Sequence, residues 1–302
     1  MKARHRTFRL PALVSAVLCG LLFTGCWNGR ILFVFEQPFW ASIGGDARLG
    51  ASLAGAAAAR GYFPRIDIAP AGPDPLAAFA ATLASREYAA VIVGPLLSFQ
   101  WEDFAALHPR TRFVLVDAPF PRRDPPANAV FLTFDRSGAF RDAGRAAAED
   151  IRKRFGSADP SRLGPRIAVL TSLDSDISAE EVDAFTRGVA DALEGGRPQA
   201  QSLPASVDAG AITAAVNQLK REGAETFLLG LGRNDPAGLE AVRAGGGSAI
   251  LADWLTSGSL PAQVMLSVEN DVPGGITLAL DGLRSGVSRV QGPVRLVGGK
   301  KI

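Results

Sequence analysis

Short runs of apolar, often β-branched residues recur along this chain, and each is followed by a stretch with helical spacing. The runs are Ile31 to Phe35, Ala90 to Val93, Phe113 to Val116, Val130 to Thr133, Ile167 to Leu170, Phe227 to Leu229 and Ile250 to Ala252. They are continuous rather than alternating, as strands covered on both faces must be. A strand–helix alternation of this kind favours parallel βαβ units over a sandwich or a bundle. The helices are marked by their starts. Asp74-Pro75 is an N-cap with a first-turn proline, ahead of Leu76, Phe79 and Leu83 on one face. Ser178-Ala179-Glu180-Glu181 is a capping box before Val182, Phe185 and Val189. Asp208 can cap a helix carrying Ile212, Val216 and Leu219 that Gly223 closes, and Asp235-Pro236 opens another that ends at Gly245 to Gly247.

The first 25 residues differ from this pattern. Lys2, Arg4, Arg6 and Arg9 precede an apolar run from Leu10 to Phe23, and Thr24-Gly25-Cys26 follows. A spanning helix needs about 20 apolar residues, so a run of this length is expected to be a secretory signal cut before Cys26. Here the chain resembles a bacterial lipoprotein precursor, although Phe23 stands where the lipobox leucine usually sits. The resemblance implies lipidation of Cys26 and a cell-envelope location, anchored to the membrane and facing periplasm or exterior. The alternative is an ordinary signal anchor with an incidental cysteine.

Cleavage leaves 277 of the 302 residues, more than one core usually organises, so two lobes are expected. It also removes four of 32 Lys and Arg, leaving 28 against 30 Asp and Glu. With that near-neutral balance and no basic strip along the sequence, neither nucleic acid nor an anionic surface is indicated as a partner. Cys26 is then the only cysteine, so no internal disulfide can form.

Two stretches carry a family likeness: QPFWASIGGDARLGASLAGAAAARGY after the first strand and LLGLGRNDPAGLEAVRAGGGSAILADW from Leu228. Together they resemble the type I periplasmic-binding-protein family. Pro38, Phe39, Trp40, Gly61 and Tyr62 follow its sugar-binding branch, as do Asn234-Asp235 and Asp253 later on. Val264 to Gly286 looks instead like the long helix of the basic-membrane-protein branch, whose lipoproteins bind nucleosides. The likeness implies an α/β fold of two lobes, each a parallel sheet flanked by helices, joined by three hinge crossings near Phe134, Trp254 and Gly286. Lobe 1 is expected over 26–134 plus 255–285, and lobe 2 over 135–254 plus 286–302. It implies a substrate-binding lipoprotein of an ABC-type importer, with a permease partner and a nucleoside or sugar as solute. A ligand-sensing or structural lipoprotein of the same fold is the alternative.

Ligands of open α/β sheets bind at the carboxyl ends of the strands. Phe39, Trp40, Asp117, Asp135, Asn234, Asp235 and Asp253 all follow strands there and are the candidate ligand-binding residues. Flat aromatic walls with converging carboxylates and amides suit a ring with apolar faces and polar rims. Each has a structural reading as well. Phe39 and Trp40 could be core, Asp235 and Asp135 helix caps, and Asp117 a turn residue before Pro119. Catalytic arrangements are poorly represented. His108 is the sole histidine of the mature chain, no G-x-S-x-G elbow exists, and Asp235 occupies the third position of the Gly230-Leu231-Gly232 pattern. No cofactor or metal is called for, and a carboxylate-only hydrolase is the one enzymatic alternative.

Overall fold

The computed structural model describes residues 28–69, 75–95, 105–118, 127–156, 159–173, 175, 177–253 and 260–298. The signal segment, Cys26, the Asp74 cap, the Pro119 to Pro126 turn and Trp254 lie outside them. The described chain forms two six-stranded sheets.

The first lobe holds β1 (Arg30–Glu36), β2 (Phe63–Ala69), β3 (Ala90–Val93), β4 (Arg112–Val116) and β5 (Ala129–Phe134), with β11 (Arg289–Gly292) at the far edge. Its order is β2-β1-β3-β4-β5-β11, every pair parallel. The second lobe holds β6 (Ile167–Ser172), β7 (Gln199–Leu203), β8 (Thr226–Gly230), β9 (Ser248–Ala252) and β10 (Val264–Asn270), with β12 (Val294–Gly298) antiparallel at the edge. Its order, β7-β6-β8-β9-β10-β12, repeats that of the first lobe strand for strand.

The helices in chain order are α1 (Gln37–Ser42), α2 (Ala47–Ala58), α3 (Pro75–Ser85), α4 (Ser137–Phe155), α5 (Ala179–Ala192), α6 (Ala209–Arg221), α7 (Asp235–Ala244) and α8 (Val272–Ser285). The capping box on α5 is formed, with Ser178 and Glu181 reciprocally bonded. Asp208 accepts from the Ala211 amide at 2.7 Å to start α6.

All seven apolar runs are strands, and their central residues are almost fully buried. β2 and β7 are the strands the periodicity does not reveal. They are edge strands, reading FPRIDIA and QAQSL, with one side partly open to solvent. The helix expected from Val264 begins instead as strand β10. It becomes helical only past Asp271, whose carboxylate accepts from the Gly274 amide at 3.2 Å, with Pro273 in the first turn. A proline there suits a first turn and would break a helix interior.

This moves two of the expected crossings. β10 belongs to the second sheet, so the chain returns to the first lobe at Asp271, not near Trp254. The final passage is at Pro293, between β11 and β12, not at Gly286. In each half the helix after the fifth strand crosses over. α4 buries Phe140, Ala143, Ala147 and Ile151 against the second sheet, while α8 buries Ile276, Ala279, Leu280 and Leu283 against the first.

α4 and α5 approach each other more closely than side chains allow. A Cβ at Gly144 would collide with the Phe185 carbonyl, and one at Gly188 with the Arg141 carbonyl. Both are backbone atoms, so the neighbour cannot rotate away.

Candidate functional site

The carboxyl edges of the two sheets are where strand ends from both lobes converge. Asp117 is the first residue past β4, and Asp253 the first past β9, its counterpart. Both carry a positive φ, +53° and +41°, which among the described non-glycine residues only Glu194 shares. Aspartate tolerates this left-handed region better than most residues, yet the conformation still has a cost. Each backbone N–H also makes the equivalent bond to the fifth strand: Asp117 to the Leu132 carbonyl and Asp253 to the Val268 carbonyl, both 2.8 Å. The two carboxylates are thus presented by the same local device in each lobe.

Beside Asp253 lies Arg136, on the first crossing. Its guanidinium donates to Glu181 of α5 at 2.6 and 3.0 Å and to Asp253 at 2.6 Å. It also sits 5.6 Å from the Phe140 ring centroid. Arg136 and Glu181 side chains are each only 11% exposed, and Asp253 23%. Asp253 further accepts from the Asn270 amide at 2.9 Å, which ties the ends of β9 and β10 together. Glu181 serves twice, because its carboxylate also accepts from the Ser178 N–H at 2.7 Å.

Burial raises the Asp253 carboxyl above the ordinary carboxylate range, and the neighbouring Arg136 opposes the rise without cancelling it. Asp117 is an exposed residue, yet the protein packed around its carboxyl raises it as well, and the negative charge of Asp253 adds to the rise. A carboxyl raised in the folded state holds more protons there than in the unfolded chain. Stability therefore falls as pH rises from the unfolded value through the folded one, and the cost is complete above it. Asp117→Asn is accordingly expected to melt higher than the parent at neutral pH, and the gain is expected to vanish near pH 3, below the ordinary carboxylate value of about 3.9. Melting curves at the two pH values check this; a gain that persists in acid would mean that charge is not its source.

The remaining candidates are placed as follows. Trp40 is 9% exposed and stacks on Phe35, ring centroids 5.6 Å apart at 15°. It packs in the lobe 1 core. Phe39 is half-buried, 5.8 Å from the Phe35 ring. Asp235 is 6% exposed and accepts from the Leu231 N–H at 2.8 Å, holding the turn before α7 closed. It is the first helical residue rather than the cap, and it is buried. Asn234 beside it is half-buried. Asp135 is exposed and accepts from the Ser137 N–H at 3.1 Å; the cap position of α4 falls to Arg136.

Arg136, Glu181 and Asn270 were not among the sequence candidates. Arg136 was legible as a cation immediately beyond an apolar strand. Glu181 was recognised only for its capping role, and Asn270 was concealed by the helix expected there.

A polar pocket of about 350 Å³ opens at this junction, lined by Thr133, Asp135, Arg136, Ser178, Glu181 and Gln291 among others from both lobes. Among the described residues no group of His, Cys, Asp or Glu could hold a metal ion, and no helix is long and apolar enough to cross a membrane.

No family model and no curated protein matches the sequence. Solved structures do match. A transcriptional activator of the comK gene from Bacillus halodurans superposes with a TM-score of 0.64 at 13% identity, covering 91% of this chain and 92% of that one. A periplasmic ribose ABC transporter protein from Conexibacter woesei gives 0.61 at 15%, covering 89% and 92%. A probable LacI family transcriptional regulator from Corynebacterium glutamicum gives 0.55 at 17%, covering 90% and 99%. The architecture is the two-lobed type I periplasmic-binding-protein fold, shared by solute-binding proteins and LacI-like regulators.

Proposed function

We propose that this chain captures a small polar solute between its lobes and closes on it by a hinge motion, with no catalytic step. The observation that carries this reading is the polar edge: matched aspartates from the two sheets, with Arg136 on a crossing bonded to Asp253. Carboxylates accepting from solute hydroxyls make charge-assisted bonds of about 1.5–3 kcal/mol each. A solute that touches both lobes favours the closed form, to the extent that it binds that form better than the open one.

The solute is a sugar or a nucleoside. The Phe39 loop and the acidic edge support a sugar. The nucleoside reading leaned on a C-terminal helix that opens as strand β10, which leaves it less support. Delivery to an ABC permease from a lipid anchor at Cys26 completes the proposal, resting on the sequence. A sensing role in place of transport is supported by the regulators that share the fold.

Pentoses, hexoses and nucleosides, each screened against the melting temperature, test the capture reading. A solute at a hundred times its dissociation constant stabilises the fold by about 2.7 kcal/mol. A flat screen across all three classes would remove sugar and nucleoside capture. If a solute is found, uptake by cells lacking the protein separates transport, which fails, from sensing, which leaves uptake intact.

A further inference from the structure

We propose that the end of lobe 1 opposite the cleft is a bilayer-facing surface that docks on anionic lipid headgroups. In a parallel sheet all the strands start at one end. The backbone bonds from Ala89 to Arg30, Arg112 to Ala89, Phe113 to Asn128 and Phe131 to Ser288 run in a row along it. The connections preceding β1, β2, β3, β4 and β11 therefore share one face, away from Asp117 and the pocket.

That face has a distinct chemistry. Arg30, Arg86, Arg110 and Arg284 are exposed on it, and none closes an ion pair with another described residue. Arg60 is engaged by Asp281 on its margin at 2.7 Å, and among the described residues Glu87 is the other acid there. Large apolar side chains stand among the arginines: Leu107 is 74% exposed, Phe63 49% and Val287 39%. Arginines interspersed with exposed apolar residues fit a layer of lipid phosphates over an acyl boundary. No basic strip is visible along the sequence because these arginines come from separate connections that only the fold assembles.

The chain also enters the fold on this face. Asn28 donates to the Gly61 carbonyl at 2.6 Å, and Phe63 to the Gly29 carbonyl at 3.0 Å, beside the start of β1. Cys26 lies two residues earlier, so an acyl anchor there would hold this face within about 7 Å of its attachment. The orientation, though not the headgroup chemistry, rests on the Cys26 anchor proposed above. Held this way, the cleft opens away from the bilayer.

The experiment is co-sedimentation of the full chain with vesicles of phosphatidylcholine alone, or with about a third phosphatidylglycerol. An acyl chain partitions into both, and the Lys2, Arg4, Arg6 and Arg9 of a retained leader add the same anionic preference to parent and variant, so the change in the anionic-to-neutral ratio on reversal isolates the arginine face. Each arginine near an anionic surface is worth roughly a fivefold change in partition. The expected ratio is at least tenfold at low salt, falling close to one in 1 M salt and dropping at least tenfold from the parent's value in Arg86→Glu/Arg110→Glu. That variant lies in exposed connections, and its unchanged melting temperature confirms folding. A ratio that the reversal leaves unchanged would overturn the proposal, as would arginine-dependent binding of heparin without any vesicle preference. Repeating the assay with Cys26→Ala separates the two claims: total binding reports the anchor, and the ratio reports the face.

Discussion

Arg136→Met is expected to lower the unfolding free energy by about 3–5 kcal/mol, the typical cost of removing one partner from a buried ion network. Methionine fills much of the volume, so the loss is electrostatic. It leaves Glu181, at 11% side-chain exposure, and Asp253, at 23%, facing each other without their shared cation. The partial exposure of Asp253 places the figure toward the lower end. Urea denaturation reads it as a lower midpoint at constant slope. A double variant, Arg136→Met with Glu181→Gln, is expected to recover part of the loss, because one of the stranded charges is gone. A single-variant change under about 1 kcal/mol would assign the network to the class of solvent-screened surface pairs.

Gly188→Val is the other large effect, expected to cost about 3 kcal/mol or more. The glycine lets α5 lie directly on the Arg141 carbonyl of α4, and any side chain must force the helices apart. Gly188→Ala is expected to show a smaller loss in the same direction, about 1–3 kcal/mol. Gly138→Ala is the internal control. It stands on α4 too, but a Cβ there meets nothing within 4 Å, so neutrality or slight stabilisation is expected. Thermal melts of the three variants order them; equal behaviour at positions 138 and 188 would show that the helix contact does not limit stability.

Much of the architecture could be read from the sequence because its central strands are continuous apolar runs. Ile31 to Phe35 and Phe227 to Leu229 could hardly be anything but interior strands, and the Ser178–Glu181 box marks its helix unambiguously. β2 and β7 escaped because an edge strand buries one flank only, which leaves polar residues such as Arg65 or Gln201 in the run. β10 escaped for a different reason. VMLSVEN is compatible with either period, and the Asp271–Pro273 start signal behind it carried more information than the apolar residues ahead of it. For the proposed site, the sequence offers Asp117 and Asp253 but not the partners that the fold places beside Asp253. Asp253 stands beyond an apolar strand where a lone charge is conspicuous. Arg136 and Glu181 become a pair only when the first crossing brings together positions 45 residues apart. Trp40 takes the other of its two readings, since an aromatic just past a strand can turn back under its own helix as easily as toward a solute.

The reciprocal placement of α4 and α8 also bears on how the protein is made. The first sheet is synthesised by residue 134 apart from its edge strand β11, yet the helix that covers one of its faces does not exist until residue 285 has left the ribosome. Through most of translation the first sheet has one face only partly covered, by Trp40, Leu53 and Ala57, and a fragment ending before α8 cannot complete the lobe 1 core. The first lobe thus completes its core last, after the buried residues of the second lobe are all in place.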